Sequence, residues 1–233
     1  MTAAPASEQP IITFWSDIGC PWATLALHTL HAAADARGQE LLIDHRAFPL
    51  ELFNSQPTPK LIVDAEVVML GAHRPELGWR LWAGHEWEYP SSILPALEAV
   101  QAAKAPEVGG LHGSDQLDTA LRRAFYVDHR CISIHSVILD IAEGCAHVDA
   151  KALEAALARG AGRREVYEQW HQAQGPEIQG SPHLFAPGGW AVHNPGAHYT
   201  YNGSPETGGF PRLDRYDAGW ADELLDSLAR QAG

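Results

Sequence analysis

Two kinds of hydrophobic spacing alternate along this chain. "IITFWSD" (11–17) is a run of β-branched and aromatic residues, which predicts a buried strand. "CPWATLALHTLHAAADARG" (20–38) switches to helical spacing: Leu27, Leu30 and Ala34 recur on one face, Pro21 suits a first helical turn and Gly38 a stop. "ELLIDHRAF" (40–48) returns to strand-like residues. Strand, helix, strand predicts a parallel pair joined by a right-handed crossover.

"FNSQPTP" (53–59) reads as a linker, and from about Pro59 to Ala173 nearly everything has helical spacing, broken by Gly and Pro. The clearer segments are 92–105, 114–130, 133–144, 149–160 and 162–175, with Ser114 and Asp149 as N-caps and Gly144 and Gly160 as stops. "PHLFA" (182–186), the turn "PGG" (187–189) and "WAVH" (190–193) then predict an antiparallel hairpin. A Gly- and Pro-rich loop follows from Asn194 to Pro211. "AGWADELLDSLARQ" (218–231) closes as an amphipathic helix with Trp220, Leu224, Leu225 and Leu228 on one face. Without the helical block, the remainder has the order of a thioredoxin-like fold. The expectation is therefore an α/β protein. A thioredoxin-like domain (10–52 and 176–233) carries a large all-helical insertion (53–175) between its βαβ and ββα units, behind a disordered lead-in (1–9).

The totals narrow the function. At 233 residues, with 45% hydrophobic and 19% charged content, the chain is long enough for one large domain or a domain with an insertion. A formal net charge of -13 leaves no electrostatic footprint for nucleic acid or an anionic membrane surface. No apolar run is long enough to span a bilayer, and "MTAAPASEQP" has neither the basic nor the apolar region of a signal peptide, so a cytoplasmic location is expected. Three widely spaced cysteines, Cys20, Cys131 and Cys145, form no disulfide framework and match a reducing compartment. A homodimer is compatible with the sequence, which does not determine the oligomeric state.

Chemistry concentrates at "SDIGCPWA" (16–23). Cys20 falls at the predicted strand-to-helix junction, where free N–H groups and the helix dipole favour a thiolate, so its pKa is expected to fall. Pro21 stiffens the turn without wasting a helical N–H. Trp22 is placed to cover the sulfur, and Asp17 either accepts a proton or caps the turn. The competing reading is an incidental buried cysteine. In "GSPHLF" (180–185), Pro182 directly before a strand is a candidate cis-proline, and Ser181 offers backbone groups to an extended thiol substrate. His183 and His193 are candidate lining residues, and Trp82, Trp87 and Tyr89 a lower-ranked aromatic wall. "HEWEY" (85–89) lacks the second histidine of a zinc helix, and no Gly-rich loop follows a strand. Neither a metal nor a nucleotide is expected.

Across nearly its whole length the chain resembles the DsbA-like thioredoxin-domain proteins. That group includes FrnE-type and actinobacterial thiol oxidoreductases and is related to the kappa-class glutathione transferases and 2-hydroxychromene-2-carboxylate isomerases. The resemblance is carried by "FWSDIGCPWA", "HRAFPLEL", "YPSSILPALEAVQAAK", "LRRAFYVDHRCIS", "GSPHLF" and "HNPG". It implies that Cys20 is the nucleophile, Pro182 the cis-proline and Ser181 the residue before it. Ala23 departs from the pattern, because dithiol members place a resolving cysteine there; it is read as native rather than engineered. Cys131 and Cys145 flank one predicted helix, whose fourteen-residue rise of roughly 21 Å forbids their pairing along an intact helix.

The leading expectation is a single-cysteine thiol–disulfide oxidoreductase acting through a mixed disulfide at Cys20. No cofactor is tightly bound. An external low-molecular-weight thiol, mycothiol or glutathione, serves as co-substrate and resolves the adduct. The alternatives are a kappa-class transferase or isomerase and a catalytically degenerate binding module.

Overall fold

The computed structural model describes residues 9–204 and 209–232. In chain order its regular elements begin with β1 (Ile11–Ser16), α1 (Pro21–Ala36) and β2 (Leu42–Ala47). The helices α2 (Leu50–Phe53), α3 (Lys60–His73), α4 (Leu94–Ala103), α5 (Gly110–Tyr126), α6 (His135–Glu143), α7 (Ala150–Ala158) and α8 (Arg163–Gln172) follow. The chain then forms β3 (His183–Ala186), β4 (Trp190–His193), β5 (Ala197–Asn202), β6 (Phe210–Tyr216) and α9 (Gly219–Ala232).

The main sheet has the order β2-β1-β3-β4, with β1 and β2 parallel and the remaining pairs antiparallel. Its central strand β1 is covered on both faces. Ile12 and Phe14 join one core, while Trp15 packs with Phe48 and Ile178 in another, which explains the absence of polar alternation in its sequence. α1 is the crossover between the parallel strands. Pro21 occupies its first turn, and it ends where Gly38 takes φ +60 and the Gln39 N–H returns to the Ala34 carbonyl. The apolar stripe of α1 meets Trp220, Leu224, Leu225 and Leu228 of α9 over Ile12, Phe14, Ile43 and Leu184. Each such side chain contributes about 1.5–3 kcal/mol on full burial, so this contact docks the terminal helix.

The helices between β2 and β3 share a second core built on Leu117, Leu121, Ile132, Ile138 and Leu153, and α4, α5 and α8 pack against β2. α3 contributes to both cores, with Val63 and Val67 in the helical one and Leu70 in the one under α1.

Several sequence expectations need correction. Ser114 is not an N-cap. It lies one turn inside α5, fully buried, and its hydroxyl donates to the Val100 carbonyl at 3.0 Å. Asp149 does cap α7, accepting from the Ala152 N–H at 3.0 Å. Residues 74–93 are not helical apart from two short 3-10 turns, because Pro75, Gly78, Gly84 and Pro90 interrupt the pattern. The segment read as a loop from Asn194 to Pro211 contains β5 and the start of β6, paired as a separate two-stranded ribbon. Pro211 cannot donate to a strand ladder, and a two-stranded ribbon with a register shift at His198/Tyr199 accommodates it. Of the expected lead-in, only Gln9 is described; its amide donates to the Glu40 carbonyl, and residues 1–8 lie outside the described residues. No helix among the described residues is long and apolar enough to cross a membrane.

Candidate active site

Cys20 occupies the N-cap position of α1 in an extended conformation, φ -90 and ψ 113. The turn that presents it is built from Asp17. The Asp17 carbonyl accepts the Cys20 N–H at 3.2 Å, and its carboxylate accepts the Gly19 N–H at 2.7 Å and the Leu50 N–H at 2.8 Å. Both carboxylate oxygens thus accept backbone donors, so Asp17 fastens the turn to the start of α2. Burial pushes its pKa up to about 6, against those two hydrogen bonds and the Arg122 charge.

The Ser181–Pro182 peptide bond is cis. Ser181 holds the cysteine turn twice: its hydroxyl accepts the Asp17 N–H at 2.9 Å, and its carbonyl accepts the Cys20 thiol at 3.3 Å. Beneath the turn, Arg122 of α5 is 2% exposed. It donates to Asp118 at 2.5 Å, to Ser16 Oγ at 2.8 Å, to Thr24 Oγ1 at 3.0 Å and to the Asp17 carbonyl at 3.1 Å. One guanidinium therefore ties the end of β1, the cysteine turn and the first turn of α1 to the helical core.

The Cys20 sulfur, on a residue 5% exposed, borders a groove of ≈ 490 Å³. One wall is Trp22 with Tyr199 and Tyr201 of β5. The Trp22 and Tyr199 rings lie 4.6 Å apart, and Tyr199 meets Tyr201 edge-on at 6.1 Å. Glu66 of α3 lies against that wall; its Oε1 accepts from Trp22 Nε1 at 3.0 Å and from the Tyr201 hydroxyl at 3.4 Å. Burial pushes Glu66 up to about 7, against those two bonds. Asn54, Gln56 and Thr58 also line the groove.

These surroundings overturn the expected fall in the thiol pKa. Burial, then the Glu66 charge, push Cys20 up to about 12, while hydrogen bonds from Ser181 and the Ala23 N–H act the other way. The helix terminus is present, but removal from water and two neighbouring carboxylates outweigh it. The resting thiol is neutral and donates to Ser181.

The structure gathers Asp17, Cys20, Pro21, Trp22, Ser181 and Pro182 around one turn. Ala23 is fully buried behind it. His183 does not reach the groove: it is 3% exposed, and its Nδ1 accepts the Gln179 N–H at 3.0 Å. On the paired strand His193 stands directly opposite it, with the two rings 5.9 Å apart, and does line the groove. Of the aromatic wall expected in the helical region, Tyr89 borders only a small separate cavity beside Asp17, Trp82 packs on Tyr89, and Trp87 is 79% exposed against His85. All three cysteines are free. Cys145 is buried in the helical core with its thiol on the Ile141 carbonyl, Cys131 lies between α5 and α6, and neither lines the groove.

Sequence reasoning missed Glu66, Arg122, Tyr199 and Tyr201. Two of them left a signal. Glu66 interrupts "LIVDAEVVML" on the face shared by Val63 and Leu70. Asp118 and Arg122 form an i,i+4 pair beside Leu117 and Leu121, on the buried side of an amphipathic helix. Acidic or basic residues on an apolar face imply an internal partner.

Comparison with known proteins agrees with this geometry. A family model described as DSBA-like thioredoxin domain matches residues 11–199. A probable DsbA oxidoreductase from Streptomyces coelicolor superimposes with TM-score 0.63 at 21% identity, over 96% of this chain and 89% of that one. The cytosolic disulfide reductase DsbM from Pseudomonas aeruginosa gives TM-score 0.55 at 19% identity, over 95% and 98%. A 2-hydroxychromene-2-carboxylate isomerase gives 0.53 at 17%, over 78% and 87%. At these identities the likeness is one of fold. No curated protein sequence matches the chain.

Proposed function

Because the chain belongs to the DSBA-like thioredoxin domain family, we propose that it is a thiol–disulfide oxidoreductase that works with one sulfur. The observation that carries this reading is the pairing of Cys20 with the Ser181 carbonyl at the edge of a groove, with Ala23 where a resolving thiol would stand. A substrate disulfide RS–SR′ enters the groove. The Cys20 thiolate attacks one sulfur, the S–S bond breaks, Cys20–S–SR forms, and R′S⁻ leaves and takes up a proton. No internal thiol lines the groove to resolve this adduct. An external thiolate attacks the substrate sulfur, forms the new disulfide and returns Cys20. Mycothiol and glutathione are the thiol classes to test. Because burial raises the Cys20 pKa, the thiolate is the minor form at neutral pH and its fraction grows as the pH rises.

The test is intact-mass analysis after exposure to oxidised glutathione and to oxidised mycothiol, followed by peptide mapping. The expected result is an adduct on Cys20, reversed by excess thiol, lost in Cys20→Ser and kept in Cys131→Ser and Cys145→Ser. Equal turnover by Cys20→Ser sinks the proposal.

One observation favours a second reading. A neutral thiol can turn its proton from the Ser181 carbonyl toward a bound small thiolate, which is how a non-covalent site, as in a kappa-like transferase or isomerase, would use it. In that case activity survives Cys20→Ser, since a hydroxyl also donates, and it consumes or requires added thiol without forming an adduct.

A further inference from the structure

The groove beside Cys20 has a one-sided chemistry. Among the described residues that line it there is no lysine or arginine, and Glu66 is its one carboxylate. His193 adds no cation at neutral pH, since burial lowers its pKa. The nearest basic side chains are engaged elsewhere. Lys60, next to the lining residue Pro59, pairs with Asp64, and Arg122 is tied beneath the turn by Asp118, Ser16 and Thr24. The whole chain carries a formal net charge of -13, which adds to the negative potential at this opening.

The same wall is rich in acceptors. Asn194 lines the groove and spends its amide N–H₂ on the Tyr199 hydroxyl at 3.3 Å, while its Oδ1 is buried without a partner. That atom is out of solvent contact, so a donor from a water or a ligand reaches it only with a small shift of the side chain. Glu66 uses Oε1 for both of its hydrogen bonds, so Oε2 is left for a further donor. Trp22 and Tyr199 present ring surface, and Asn54 and Gln56 present exposed amides. Flat aromatic surface with side-chain amides and unfilled acceptors suits a ligand arm that bears hydroxyl or N–H donors. A carboxylate arm finds no cation to pair with, and it meets like charge once Glu66 ionises above its pKa of about 7.

We infer that this groove selects low-molecular-weight thiols and disulfides whose arms are uncharged or cationic and carry hydroxyl or N–H donors, and that it disfavours those bearing free carboxylates. The inference rests on the reading of the groove as a thiol site. It names the substrate class, with Glu66 as the residue that sets the discrimination.

The test compares rates of mixed-disulfide formation at Cys20 with four symmetric disulfides: oxidised glutathione, which bears carboxylates; oxidised mycothiol and bis(2-hydroxyethyl) disulfide, which are uncharged and hydroxylated; and cystamine, which is cationic. Each rate is normalised to the reaction of the same disulfide with free cysteine. Oxidised glutathione is expected to lag the other three by about tenfold or more. Glu66→Gln keeps an acceptor for Trp22 and Tyr201 and is expected to shrink that gap several-fold, with the largest loss for cystamine. Equal or faster reaction of oxidised glutathione overturns the inference, as does an undiminished gap in Glu66→Gln. A second readout is independent of covalent chemistry: binding of reduced mycothiol and reduced glutathione to Cys20→Ser, followed on the Trp22 indole resonance by NMR. If no disulfide modifies Cys20, the oxidoreductase reading falls, and this readout still decides the preference. Tighter mycothiol binding supports the inference, and equal or tighter glutathione binding overturns it.

Discussion

Arg122→Met removes the centre of the buried polar network under the active turn. Five hydrogen bonds end on the Arg122 guanidinium: two on Asp118, and one each on Ser16, Thr24 and the Asp17 carbonyl. Arg122 and Asp118 are each 2% exposed, so the substitution leaves a carboxylate in the core whose nearest other basic group is His45 Nδ1 at 3.6 Å. Removing one partner of such a pair costs about 3–5 kcal/mol, against about 0–1 kcal/mol for an exposed pair. For a chain of this size that corresponds to a drop in Tm on the order of 10 °C. Equilibrium urea unfolding, with the slope held against wild type, measures the loss. Asp118→Leu/Arg122→Met removes both charges and is expected to recover part of it. Full recovery is not expected, since Ser16 and Thr24 still lose their donor. Arg122→Lys is expected to recover less than half, because an ammonium cannot span the four separate acceptors. A loss under about 1 kcal/mol in Arg122→Met, where an isolated exposed pair would fall, refutes the reasoning.

Three further outcomes follow from the same contacts. Ala23→Cys supplies the missing second thiol, and the Cys20 adduct is then expected to resolve without added thiol, as read by the disappearance of the adduct mass. Ala23 is fully buried, so the added sulfur also costs about 1–3 kcal/mol by overpacking. Asp17 is held at about 6 in the folded protein against an ordinary 3.8. The folded state therefore binds this proton more tightly than the unfolded chain, and the Asp17 contribution to stability falls as pH rises from about 4 to about 6, by about 3 kcal/mol in all. The difference between wild type and Asp17→Asn in urea titrations across that window is expected to show this slope, and a flat difference would contradict it. Gly162 has φ +84, and a Cβ there would meet the Glu98 carbonyl oxygen at 2.0 Å. Gly162→Ala is therefore expected to lower the urea midpoint by more than about 2 kcal/mol equivalent, from backbone strain and collision with a backbone atom that cannot yield.

Much of the fold was legible in local pattern. The run 11–17, the Leu27–Leu30–Ala34 stripe and the Trp220–Leu228 face each announce their element, because a strand or helix imposes its period on whichever face is buried. The β5–β6 ribbon was not legible. Its alternation is short, Pro211 interrupts it, and it is held by packing of α3 against β6, including the Leu213 N–H on the Met69 sulfur. Asp149 was legible as a cap because a cap bonds within three residues. Ser114 was not, because its hydroxyl is satisfied by the neighbouring helix α4.

The sequence by itself determined the order of elements, the seating of Cys20 at the start of a helix and the absence of a second cysteine in its turn. These are local properties, set by periodicity, by Pro21 and by residue identity. Only the tertiary structure decided the character of the thiol. Glu66, Arg122, Ser181 and Tyr199 reach the Cys20 turn from segments 44 to about 180 residues away in the chain. Burial of the sulfur and the charges of Glu66 and Asp17 reverse the pKa direction that the helix terminus alone would set, against the hydrogen bond with Ser181. Tertiary packing also decides which side chains line the groove: His193 rather than His183, and Glu66 with no lysine or arginine among the described residues. Dehydration and Coulomb interaction act through space, so a property summed over distant segments cannot be read from any one of them.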